Sequence, residues 1–130
     1  MSKYDLTPCT HVKHVSNRDC YFAHERLTTE AAMIRGLIRG LGKVGYKPVC
    51  VFDGEEYVNG TTETATMDTV FSVDESTITF KGRDGEVYGV LIVLGNGVDC
   101  IPDWNVSRDD TNGWNAAIER VTDELYERHQ

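Results

Sequence analysis

No stretch of this chain approaches the length of a membrane span. Residues 1 to 14 hold charge, histidine and a proline, but no apolar run of the kind a signal peptide needs. A cytoplasmic location is therefore expected, with no membrane as partner. Positive charge is scarce as well: 13 Lys and Arg stand against 21 Asp and Glu, a net of −8 at pH 7. An acidic chain gains no counterion release from a polyanion, which argues against direct binding to nucleic acid or anionic lipid. Missing too are the short C-x2-C knuckle of zinc modules, a Walker lysine, a dinucleotide fingerprint, internal repeats and low-complexity tracts. No cofactor is expected.

What the chain has is enough apolar surface for a core. With 130 residues, 40% of them hydrophobic, and 12 glycines, it has the size and composition of one globular domain. Four cysteines, Cys9, Cys20, Cys50 and Cys100, form an even count. Without a secretory signal they read as reduced thiols, and Cys50 and Cys100 sit in strand-like contexts where cysteine acts as a small hydrophobe.

Charge is divided along the chain. Residues 1 to 48 carry a net of +4 and residues 49 to 130 a net of −12. Such a split signals either complementarity between two halves or a single-signed surface offered to a partner, beside the simpler reading of a solubilising face.

Periodicity predicts an α+β fold with a mostly antiparallel sheet of five to six strands. A helix in the N-terminal half and a C-terminal helix are expected on one face of that sheet. Thr28 or Thr29 is placed to cap a helix over 30–42, where Ile34, Leu37, Ile38 and Leu41 form an apolar stripe and Gly42 and Gly45 are stop signals. Residues 46–52 read as a strand, Asp53-Gly54 as a two-residue turn, 55–58 as the returning strand and 61–66 as a Thr-rich connector. Alternation over 67–73 and 77–80 predicts two more strands. The continuous apolar run 90–94, within a strand over 86–94, predicts the central strand, covered on both faces along part of its length. A further strand over 98–101 ends at Pro102. Asp110, Thr111 or Asn112 then caps a last helix with Trp114, Ala117, Ile118, Val121 and Leu125 as its buried stripe. On that helix Glu119, Asp123 and Glu127 recur every four residues, opposite in sign to Arg35, Arg39 and Lys43 on the first, so the two stripes could meet.

Three groups of residues are candidates for chemistry. Cys9, His11, His14, Cys20 and His24 crowd an expected N-terminal arm of residues 1–27, ahead of a single domain over 28–130, and could supply a zinc site or a Cys/His nucleophile. The acid pairs Glu55-Glu56, Asp74-Glu75 and Asp109-Asp110 fall in turns, where carboxylates are solvated and suit long-range attraction better than proton transfer. Trp104 and Trp114 flank a polar loop, one read as core and the other as an interface anchor.

The helix followed by Gly45-Tyr46, then Asp53-Gly54-Glu55-Glu56, Val73-Asp74-Glu75, Gly95-Asn96-Gly97 and residues 99–104 (DCIPDW), resembles a group of small acidic proteins carried by bacteriophages, plasmids and other mobile elements. The resemblance covers about residues 30–108. It implies a setting in which small acidic domains inhibit host defence systems by occupying nucleic-acid-binding grooves or protein interfaces. The expectation is a non-catalytic acidic inhibitor of anti-CRISPR or anti-restriction type. Its binding residues would be Asp53, Glu55, Glu56, Asp74, Glu75, Asp103 and Trp104, set against a basic protein surface or a nucleic-acid-binding complex. An immunity or antitoxin protein against a basic nuclease is the alternative, and a zinc or Cys/His protein the third.

Overall fold

The computed structural model describes residues 17–107 and 113–130, and for 17–28 the backbone alone. Helix α1 runs over Asn17–Lys43, so Thr28 and Thr29 lie inside it and do not cap it. No Gly or Pro interrupts residues 17–35, and Ala23, Glu25, Arg26 and Leu27 are good helix formers, so nothing local halts the helix before its apolar stripe. The boundary expected at residue 27 falls within continuous helix. At the other end Gly45, at φ 97°, turns the chain while the Tyr46 amide donates to the Leu41 carbonyl at 3.0 Å.

Strand β1 (Lys47–Phe52) pairs antiparallel with β2 (Tyr57–Asn59). Their connection has four residues where two were expected. Asp53 Oδ1 accepts from the Glu55 and Glu56 amides, both at 2.9 Å, and the Asp53 amide donates to the Glu56 carbonyl. The side chain thus substitutes for backbone and stretches the turn.

Helix α2 (Glu63–Val70) replaces both the expected connector and the strand over 67–73. Thr62 caps it by accepting from the Ala65 amide at 3.1 Å, with Glu63 in the first turn. Thr66, Met67, Thr69 and Val70 are buried, a helical spacing. The buried Thr66 hydroxyl shares its one proton between the Thr62 carbonyl at 2.7 Å and the Gly60 carbonyl at 2.8 Å, so a threonine of the expected connector is satisfied within a helix.

Strands β3 (Glu75–Lys81), β4 (Val87–Val93) and β5 (Asp103–Trp104) complete an antiparallel sheet in the order β2-β1-β3-β4-β5. The central strand is therefore β3 and not the apolar run of β4. In β4 burial alternates: Tyr88, Val90 and Ile92 are buried while Val87 is exposed and Gly89, Leu91 and Val93 are half-buried. One face only is covered. Residues 98–101 do not form a strand; a 3₁₀ turn over Gly97–Asp99 delivers Cys100 into the core, and β5 follows Pro102 instead of ending there.

Helix α3 (Trp114–His129) buries the predicted stripe of Trp114, Ala117, Ile118, Val121 and Leu125. It is preceded by Gly113 at φ 80°, and the expected caps Asp110, Thr111 and Asn112 lie outside the described residues. Trp114 is the core tryptophan. Its ring stacks on Tyr88 at 4.5 Å between centroids and meets Tyr46 edge-on at 5.2 Å, while its indole N–H donates to the Asn105 carbonyl at 2.8 Å.

The three helices share the covered face with Val51, Ile78, Phe80, Val90 and Ile92 of the sheet. The two charged stripes do not meet. Gly36 and Gly40 of α1 lie against Leu125 and Val121 of α3, an antiparallel crossing that turns Arg120, Glu124 and Arg128 towards Arg35, Arg39 and Lys43. Arg39 instead grips Glu63 of α2, with Nε and Nη2 at 2.7 and 3.2 Å from the two carboxylate oxygens.

Candidate protein-binding face

The side of the sheet away from the helices carries no packed element among the described residues. Antiparallel register fixes what it displays, because side chains alternate between faces. One row crosses all five strands, reading Tyr57, Phe52, Thr77, Leu91 and Asp103 from edge to edge. The next rung towards one end pairs Glu75 with Val93. A rung in the other direction holds Asn59, Cys50, Thr79 and Gly89, and beyond it Lys47, Lys81 and Val87. Phe52 and Tyr57 touch, ring centroids 4.9 Å apart, and Tyr57 remains 73% exposed. The face is thus an apolar centre of Phe52, Tyr57, Leu91 and Val93 bounded by charge.

That charge has a direction. Because Phe52 pairs with Thr77, the β1–β2 loop and the start of β3 emerge at the same end of the sheet. Asp53, Glu55, Glu56, Asp74 and Glu75 therefore gather there, with Asp103 one rung inward on β5 beside Leu91. Lys47 and Lys81 mark the opposite end, where the β3–β4 turn adds Arg83, Asp84 and Glu86. All six carboxylic acids are exposed apart from the half-buried Asp53, whose carboxyl is held below the ordinary range by the hydrogen bonds from the Glu56 and Glu55 amides. They stand on a rim open to water.

Trp104 is separated from this group. It pairs with Val90, whose side chain is buried, so it leans to the helix side and lines a depression of about 400 Å³ with Met33, Pro102 and Tyr126. Period two sends Asp103 and Trp104 to opposite faces. Sequence reasoning overlooked Phe52, Tyr57 and Leu91. Their signal was the apolar run of β4, expected to be covered on both faces, and the residues flanking Asp53 to Glu56, expected as strand ends with no face assigned.

The Cys/His group cannot be placed in the same way: Cys9, His11 and His14 lie outside the described residues, and of Cys20 and His24 the backbone alone, within α1, is described. Asp109 and Asp110 also lie outside the described residues. Among the described residues no three His, Cys, Asp or Glu side chains come together as metal ligands, and no helix is long and apolar enough to cross a membrane. Set against protein-family models, curated proteins and solved structures, the chain matches none of them.

Proposed function

We propose that this protein is a non-catalytic inhibitor that docks its open sheet face on a basic surface of a nucleic-acid-processing complex, competing there with the nucleic acid in the manner of an anti-CRISPR or anti-restriction protein. The observation that carries the reading is the row of Tyr57, Phe52 and Leu91 lying beside a rim of six acids. Aromatic and aliphatic anchors inside a charged border form the composition of a protein interface, with the centre supplying desolvation and the border supplying steering. Size supports the use of both parts. The strands hold 6, 3, 7, 7 and 2 residues, which at about 3.4 Å per residue and about 4.8 Å between strands cover roughly 400 Å² in projection, short of the about 800 Å² a standard partner buries. The acidic loops have to join the contact.

The test is affinity capture by the wild-type chain and by two variants, Tyr57→Ala and the pair Glu55→Lys with Glu56→Lys. The expected result is a nucleic-acid-binding complex retained by the wild type, released by its own nucleic acid, and lost by both variants. Capture of a free nuclease that the chain neutralises would move the protein to the immunity class. Equal capture by all three chains would remove the sheet face from consideration.

A further inference from the structure

The cleft between α1 and α3 reverses the charge of the rest of the molecule. It has a volume of about 560 Å³ and is walled by Arg35, Arg39 and Lys43 on one side and Arg120 and Arg128 on the other. Five of the 13 Lys and Arg of an acidic chain thus converge on one place, with Glu124 as the single carboxylate in the wall. Arg39 is neutralised by Glu63. Arg35, Lys43, Arg120 and Arg128 have no carboxylate within ion-pair distance among the described residues. A solubilising surface intersperses both signs, and facing like charges across a gap costs folding energy through self-repulsion.

The helices are built to come together here. A Cβ on Gly36 would lie 2.5 Å from Leu125 Cδ2, and one on Gly40 would lie 3.0 Å from Val121 Cγ1. Glycine at both places brings the two backbones close enough for side chains of both helices to reach a common ligand, over a floor formed by Val121 and Leu125.

We propose that this cleft is an anion site for an oligophosphate group, either the phosphate chain of a nucleotide or a free short polyphosphate. Guanidinium forks match phosphate oxygens in pairs, and three of the four uncompensated cations are arginines. Residues 35 to 43 span about 12 Å along the helix, which accommodates a chain of a few phosphates. Among the described residues His129 is the one aromatic side chain in the lining, too little for a stacking platform, so recognition rests on the phosphates. A long nucleic acid would run out of the cleft against a molecule of net charge −8, whereas a short polyanion stays within the positive field. The site is remote from the open sheet face and independent of the role assigned to it.

Calorimetric titration of the full chain with tripolyphosphate, adenosine triphosphate and adenosine at low salt, alongside amide NMR shifts, tests this. Saturable binding is expected for the two phosphate compounds and none for adenosine, with shifts confined to residues 35–43 and 120–129 and affinity falling as salt rises. Arg120→Gln combined with Arg128→Gln should weaken binding by at least about tenfold with no fall in melting temperature, as should Arg35→Gln alone if either of those residues proves structural. Glu124→Gln should strengthen it. A similar tripolyphosphate and nucleotide affinity assigns the site to the phosphate chain, and a markedly tighter nucleotide would assign it to nucleotides. Absence of saturation, affinity that survives the arginine substitutions, or adenosine binding as well as its triphosphate would each overturn the proposal. So would a single-stranded oligonucleotide that displaces tripolyphosphate at equal phosphate concentration.

Discussion

Glu30 is 2% exposed, yet its Oε2 accepts from the Gly95 amide at 2.7 Å and the Asn96 amide at 3.1 Å, tying α1 to the turn after β4 across 65 residues of chain. Hydrogen bonds to a charged group contribute about 1.5–3 kcal/mol, so Glu30→Ala should lower the urea-unfolding free energy by about 1–3 kcal/mol, the lower end applying if water reaches the exposed turn amides. A loss below about 0.5 kcal/mol would mean that the turn holds without the clasp. The neighbouring Cys100 thiol is fully buried, and burial first, then the Glu30 charge, pushes its pKa from about 9 up to about 12. A folded-state value above the unfolded one gives stability that is complete below about pH 9 and is lost as pH rises towards 12. Alkylation at pH 8 followed by peptide mass mapping should therefore modify half-buried Cys50 long before Cys100, and label on Cys100 should appear at the rate of global unfolding.

Elements respond to substitution according to what faces them. Gly36 and Gly42 both lie in α1, and alanine is favoured over glycine in a helix by about 1 kcal/mol. At Gly42 a Cβ meets nothing within 4 Å, so Gly42→Ala should raise stability by about 0.5–1 kcal/mol. At Gly36 it would press on Leu125, itself buried in the core, and overpacking of about 1–3 kcal/mol outweighs the helical gain. Thermal melts of the two variants should move in opposite directions, and two upward shifts would show that α3 yields freely. The cap of α2 gives another measurement. Thr62→Ala should cost about 1 kcal/mol, because the Ala65 amide loses its acceptor at the helix start.

At the scale of the whole molecule two charge clusters stand apart, six acids at one end of the open sheet face and four arginines in the helical cleft. Exposed charges act over about 8 Å at physiological ionic strength, so the acids of the rim act on an approaching partner as a group. Reversing Asp74 and Glu75 to lysine should slow association with the captured partner more than it speeds dissociation, and the deficit should shrink as salt is raised. The melting temperature should barely change, since surface substitutions stay within about 0.5 kcal/mol. Association rates that are unaltered at every salt concentration would reduce the rim to a solubilising surface.

Local pattern was sufficient for the stripes of α1 and α3, for β1, β3 and β4, and for the turn at Gly45, because helical and period-two spacing and a stop glycine are written in the order of side chains; at Gly54 it placed a turn but not its four-residue length. Composition alone determined that the chain is acidic and has enough apolar surface for one core. Tertiary structure decided the rest. Residues 67–73 alternate well enough for a strand, and they became part of a helix because Thr62 caps it and the core accepts Thr66, Met67 and Val70 on one side. The four-residue spacing of charges on α3 was visible, but which flank faces α1 depends on an antiparallel crossing set by Gly36 against Leu125 and Gly40 against Val121. The same holds for the sheet. Alternation in β4 and β5 could not say which set of side chains meets water until three helices had covered the other face, leaving Leu91 and Asp103 outside and turning Trp104 inward.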